Sequence, residues 1–401
     1  MSFSFSFSGD DIEDADQNGS APVSAAAASA AATTAVSLGA TTSPSAAASA
    51  FPVQGKPQLP PLRHYMMHML RDLPSKIAYG LITVKLEADF GGPDGGNTGG
   101  SQSTLIQLPR RELWDVRMQV MAEEDESTTQ GADDNGEIAP GLGSHDVKTG
   151  IYEGGFKSWE SSVDLVKTLL NPDRESPSFS RPSTVAASML CRPGHSRVIE
   201  WACATRAGRT VERHSLYPLT FTVADYNPSV LNLVTLPNLI LVWALQQRRE
   251  DPALKEAFDF EQEELHLTTD VKTAFCVFLQ KTRIGFTFMS GGWSSEFVRL
   301  LYTNEEVFGS DGTNTLMLGA ETIYSPFALA SFSDTLLAFL RRERGTTANA
   351  AAVVAAKKLY FGVGGSLDDF VRRMRDAGAL VTELREETEG VRRGVVRCVL
   401  E

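Results

Sequence analysis

A chain of 401 residues that is 42% hydrophobic can build a sizeable core and is longer than one compact domain needs. Its formal net charge of −13 argues against direct nucleic-acid binding, which needs clustered Lys and Arg, and suits a basic protein partner. The four cysteines, Cys191, Cys203, Cys276 and Cys398, show neither zinc-ligand nor disulfide-framework spacing. No metal is therefore expected, and free thiols in a reducing compartment are.

Residues 1–60 are low in complexity. A Ser-Phe alternation gives way to an acidic cluster (Asp10, Asp11, Glu13, Asp14, Asp16) and then to an Ala/Ser/Thr tract. Such a segment buries too little apolar area to offset its ordering entropy and is expected to be disordered. The first basic residue is Lys56, so the positive region of a secretory signal is missing, and Ala21–Ala50 lacks the Leu, Ile and Phe of a membrane span. No membrane association is expected, and cytoplasm and nucleus follow by elimination.

Residues 61–150 read as an extension with flexible loops. The pattern predicts a short helix over His64–Leu70, a strand over Ile77–Leu86, a glycine-rich linker over Gly91–Gly100, a helix from Pro109 towards Met121 and an acidic surface loop over 123–150. From Ile151 the texture changes. Val163, Val166, Leu169 and Leu170 mark one face of a helix over Trp159–Leu170, and Val185–Met189 leads into a strand over Arg197–Ala204. A second strand is predicted over Leu219–Ala224, then a long apolar helix over Ser229–Leu245, interrupted near Pro237. Further strands are predicted over Ile284–Met289, Thr315–Gly319, within Val353–Val363 and over Val395–Leu400, with helices over Phe327–Arg341 and Leu367–Ala377. Strands alternating with helices predict an open, doubly wound α/β domain over residues 151–401, which binds ligands at the carboxyl ends of its strands.

Those strand ends carry polar residues. Asp225, followed by Tyr226 and Asn227, ends the second strand, where a carboxylate can accept the ribose hydroxyls of a nucleoside cofactor; Asn227-Pro228 equally suits a helix start. The third ends Ser290-Gly291-Gly292-Trp293, where glycines admit a flat ligand and Trp293 stacks on an adenine or fills a core. The fourth ends Ala320-Glu321-Thr-Ile-Tyr324, an acid and a phenol placed to orient a nucleophile or merely to meet solvent.

Several blocks share an order along the chain: Arg111-Glu-Leu-Trp-Asp-Val-Arg117, Ile151-Tyr-Glu-Gly-Gly-Phe-Lys-Ser-Trp-Glu160, Asp225-Tyr-Asn227, Val234-Thr-Leu-Pro-Asn238, Ser290–Trp293, Glu321-Thr-Ile-Tyr324 and Tyr360-Phe-Gly-Val-Gly-Gly-Ser366. In these blocks, and in the opening Met1-Ser-Phe-Ser-Phe5, the chain resembles the eukaryotic histidine protein methyltransferases. The resemblance implies a seven-stranded Rossmann-like sheet, mostly parallel with an antiparallel last strand. It also implies transfer of a methyl group from S-adenosylmethionine to the tele nitrogen of a histidine in a basic large-subunit ribosomal protein. Carried over, Trp159 and Glu160 line the cofactor cleft, and Glu200 with Ala202, Cys203 and Ala204 flanks the methionine part. Asp225 holds the ribose beside Tyr226 and Asn227, Gly291, Gly292 and Trp293 meet the adenine, and Ala320 closes the cleft. Glu321 and Tyr324 are the catalytic candidates, and the Tyr360–Gly365 loop faces the substrate.

One block departs from the family pattern. Ala202 and Ala204 stand where the family has glycines, and Arg206–Pro218 is shorter and less apolar than a crossover helix needs. Either the added Cβ atoms weaken cofactor binding, which Ala202→Gly with Ala204→Gly then tightens, or residues near 201–218 are a local misreading of the gene, the reading that the well-matched flanking blocks favour. The added Cβ atoms also keep open a non-catalytic reading, in which the fold only binds ribosomal or nascent protein.

Overall fold

The computed structural model describes residues 55, 58–86, 104–119, 155–156, 158–171, 185–186, 195–201, 218–303, 313–344 and 349–400. All belong to the unit Ala48–Glu401. The expectations for residues 1–54, the glycine-rich linker, the acidic loop over 123–150 and Ala202–Ala204 lie outside the described residues.

The chain enters through a short strand, β1 (Leu62–His64), and a helix, α1 (Met66–Asp72). Two antiparallel strands follow, β2 (Lys76–Leu86) and β3 (Thr104–Arg111), and residues 113–119 form α2. The helix expected from Pro109 therefore begins only after Arg111. Leu105-Ile-Gln-Leu108 continues as strand into Pro109–Arg111 because β2 pairs with it through Tyr79↔Arg111, a partner that local propensity does not reveal. Next come α3 (Glu160–Leu170), β4 (Ser196–Trp201) and β5 (Leu219–Asp225).

Helix α4 runs over Pro228–Gln247. Asn227 caps it, accepting from Ser229 N at 3.0 Å, with Pro228 in the first turn. The break expected near Pro237 takes the form of a π-helical stretch over Leu231–Thr235, just before the proline. Length and composition alone would let α4 cross a membrane; here most of it is buried in the protein core.

Two short strands, β6 (Phe258–Asp259) and β7 (Glu264–His266), precede α5 (Thr269–Thr282) and β8 (Ile284–Ser290). The chain then forms α6 (Ser295–Leu301), β9 (Asn314–Ala320), α7 (Pro326–Arg344), β10 (Asn349–Lys357), α8 (Leu367–Asp376), β11 (Leu380–Glu387) and β12 (Arg393–Val399).

The main sheet has eight strands in the order β1-β8-β5-β4-β9-β10-β12-β11. Strands β8, β5, β4, β9 and β10 are mutually parallel. The final strand, β12, runs antiparallel to both β10 and β11. The count exceeds the seven expected because β1, from the amino-terminal region, adds antiparallel to β8 through His64↔Phe288. A second, antiparallel sheet has four strands, β3-β2-β7-β6, and its Ile77, Tyr79 and Leu265 join the core on one face of the main sheet.

Alternation along the central strands divides the core between the two faces of the main sheet. Val198, Phe221, Val223, Leu316 and Leu318 face α1, α4 and α5, packing on Leu236, Ile240, Trp243 and Phe275. Ile199, Ala224, Met289 and Met317 face α6, α7 and α8, packing on Phe297, Phe332, Leu336 and Phe370. The strand order turns about β4, between β5 and β9, and the parallel registers align the carboxyl ends of these strands along one edge.

Candidate active site

Asp225 is the last residue of β5, in register with Ser290 of β8. It is buried, its carboxyl is pushed up to about 7 by loss of solvent, and its Oδ1 accepts the Asn227 N–H at 2.8 Å. No cation pairs with it among the described residues. With no cation beside it among the described residues, this buried carboxylate retains the acceptor capacity that two ribose hydroxyls would satisfy, so the residues at this edge fit a nucleoside cofactor. Gly155 crosses directly over it. A Cβ there would lie 2.5 Å from Asp225 Oδ2 and 2.6 Å from Val230 Cγ1, so only glycine lets this segment approach.

Glu321 follows β9 and adopts φ 57°, a left-handed conformation uncommon outside glycine. Its N–H donates to Ala355 O at 3.1 Å. Ser161 Oγ donates to its Oε1 at 2.5 Å and Tyr360 OH to its Oε2 at 2.5 Å. Burial raises the Glu321 carboxyl above its ordinary range, and the Ser161 and Tyr360 hydroxyls and Lys357 hold it back. Lys357 Nζ lies 4.9 Å from the Trp159 ring centroid and 5.8 Å from that of Tyr360. Tyr360 stays protonated far above neutrality because it is buried against the Glu321 charge. Tyr324 is likewise raised, by burial first and then by the charges of Asp225 and Tyr226, which ties Glu321's loop to the Asp225 pocket.

The segment leading into α3 and the helix's first turn thus link both carboxylates: Gly155 meets Asp225, and Ser161, one residue past Glu160, meets Glu321. Glu160 itself is solvent-exposed at the start of α3. Ser161 was not among the residues singled out from sequence. Its signal is a wholly buried serine on the inner face of an amphipathic helix, legible only once that face is known.

Other expected site residues have the following surroundings. Trp293 is buried edge-on against Phe297 and Phe332, at centroid distances of 5.3 and 6.2 Å, in the core beneath the edge. Asn227 serves as the cap of α4. Gly291, with φ 105°, and Gly292 meet the chain at Gln58–Pro61; a Cβ on Gly291 would fall 2.4 Å from Pro60 O. Tyr226 OH accepts from Leu59 N at 3.0 Å. Glu200 is buried in β4 opposite Val223 and Leu318, and Ala320 is buried opposite Ala355.

No protein-family model matches the chain. Curated relatives do. Histidine protein methyltransferase 1 of Saccharomyces cerevisiae is 34% identical over 291 residues, 69% of this chain and 71% of that protein. The Schizosaccharomyces pombe protein of the same name is 30% identical over 341 residues, 82% of each chain. The Bos taurus homolog is 28% identical over 269 residues, covering 66% of this chain and 59% of that protein. Among solved structures, the human methyltransferase 10 domain containing protein shows 11% identity and a TM-score of 0.31, covering 72% of this chain and 97% of that chain, a likeness too distant to weigh on the fold.

A doubly wound sheet with carboxylates at the ends of β5 and β9, in a chain with these relatives, defines a methyltransferase. Identity of 34% and 30% over most of both yeast proteins narrows the class. The chain belongs to the histidine protein methyltransferase family.

Proposed function

We propose that this chain binds S-adenosylmethionine along the carboxyl edge of its sheet and methylates the tele nitrogen of a histidine in a basic protein of the large ribosomal subunit. The observation that carries the reading is Asp225, a buried carboxylate at the end of β5 with no cation paired to it among the described residues. Bound cofactor supplies a methyl group activated on a sulfonium. Asp225 accepts the ribose hydroxyls, with Tyr226, Gly291 and Gly292 on the base side. Trp159, Glu160 and Ala320 close the cleft, Glu200 is assigned to the methionine end, and the family resemblance assigns Ala202, Cys203 and Ala204 there with it.

A neutral imidazole is already a nucleophile, so the residues mainly align it. Glu321 is held in place by Ser161 and Tyr360, each through one of its carboxylate oxygens. Each oxygen keeps a further acceptor site for the second ring N–H of the substrate, which fixes the tautomer and leaves the other nitrogen free to attack. Tyr324, a protonated phenol three residues on, faces the charges of Asp225 and Tyr226. The net charge of −13 suits a basic ribosomal substrate, and the proposed location is cytoplasm and nucleus.

Ala202 and Ala204 favour a second, non-catalytic reading. Methylation of large-subunit ribosomal protein by the full chain, followed by mass spectrometry of the modified peptide, separates the two. The expected result is one methyl group on a histidine tele nitrogen. A methylated lysine would overturn the acceptor, and failure to bind S-adenosylmethionine or its demethylated product would favour the non-catalytic reading.

A further inference from the structure

The loop after β8 lies where the base of the cofactor is proposed to sit, yet its own side chains are spoken for. Ser290 Oγ is hydrogen-bonded to His64 Nε2 at 2.8 Å, Gly291 and Gly292 carry no side chain, and Trp293 packs edge-on into the core. The Tyr226 hydroxyl, on the neighbouring strand end, takes the Leu59 N–H. A polar side chain reaches this loop from far away in sequence. Gly292 N donates to Leu59 O at 2.8 Å, and β1 zips onto β8 just beyond, so Gln58 is laid across Gly292. A Cβ on Gly292 would fall 2.1 Å from Gln58 Oε1 and 3.0 Å from Gln58 Cβ. Gln58 is half-buried, and among the described residues its amide makes no hydrogen bond.

We propose that Gln58 recognises the base of the cofactor, its amide reading the amino-purine edge over Gly292. An amide presents an acceptor and a donor side by side. That matches the 6-amino group and N7 of adenine, and mismatches O6 and N7 of hypoxanthine, which are both acceptors. The residues that follow it fix its position: Leu59 donates its N–H to Tyr226 OH and accepts from Gly292 N, and Pro60 lies close against Gly291. The inference rests on the reading of this edge as the S-adenosylmethionine site.

The test is calorimetric titration of the full chain with S-adenosylhomocysteine and with its inosine counterpart. It compares wild type, Gln58→Ala and Gln58→Met; the methionine keeps the cover over Gly292 while removing both polar atoms. Both variants are expected to bind S-adenosylhomocysteine roughly three- to tenfold more weakly, the loss of about one hydrogen bond, and to lose preference for adenine over hypoxanthine. Wild-type affinity and preference in Gln58→Met would overturn the inference while leaving the cofactor reading intact. A wild-type chain that binds neither ligand overturns both.

Discussion

Asp225 has the sharpest consequences at the scale of a single residue. Its carboxyl is held at about 7 in the unliganded fold against 3.8 when unperturbed. Between those values the folded state keeps a proton that the unfolded chain has released, so this residue makes stability fall as pH rises from about 4 to about 7, by a few kcal/mol in total. Asp225→Asn should therefore stabilise the unliganded protein at pH 8 and change it little at pH 4, as read by urea unfolding. The same variant should weaken cofactor binding roughly tenfold to over a hundredfold, because a charged acceptor for hydroxyl donors is gone. Since those donors favour the ionised form, wild-type affinity for S-adenosylhomocysteine should rise with pH up to about 7 and level off above. A flat affinity profile from pH 5.5 to 8 would remove Asp225 from the site.

At the scale of an element, α4 shows how a family motif can be structural. Pro237 has no N–H to give to the turn before it, and the helix loosens into its π-helical stretch there. Arg111, from the Arg111–Arg117 block, answers this: its Nη1 donates to Leu233 O at 2.8 Å, its Nε to Asp115 at 2.6 Å, and its backbone N–H to Asn238 Oδ1 at 2.7 Å. That pins β3 and α2 to the helix leaving Asp225. Arg111→Leu should lower the free energy of unfolding by about 1–3 kcal/mol, the cost of leaving buried polar groups unmatched. Because α4 starts at Asn227, cofactor affinity should fall with it; unchanged chemical denaturation would show that Arg111 does not support α4.

The whole molecule balances this open edge against a closed network at the opposite, amino-terminal end of the strands. Arg197 and Glu343 are both 1% exposed and pair at 2.5 Å; Thr315 donates to Glu343 at 2.8 Å, and Tyr302 also donates to it. Removing one partner leaves a buried charge unmatched, so Glu343→Ala should destabilise the fold by about 3–5 kcal/mol in urea unfolding while leaving the residues of the cofactor edge in place. A loss below about 1 kcal/mol would mean that the site relaxes or hydrates.

Much of the main sheet was legible in the residues because its parallel strands are short apolar runs and its helices are periodic: Leu219–Asp225, Ile284–Ser290 and Asn314–Ala320 each contain the strand expected there. The carboxylates could be placed because a strand's end can be read from its own sequence. Elements that rely on distant partners could not be read in this way. Leu380–Glu387, rich in charge, becomes strand β11 through its pairing with β12, and Leu62–His64 becomes β1 only against β8. The sequence by itself determined an alternating α/β chain with acids after its second and fourth parallel strands. Only tertiary structure decided that Ser161 and Tyr360 clamp Glu321, that Trp293 faces the core, and that Gln58 lies on Gly292. Each of these rests on a contact between segments far apart in the chain, Trp293 through Phe332 of α7, settled by packing rather than by local propensity.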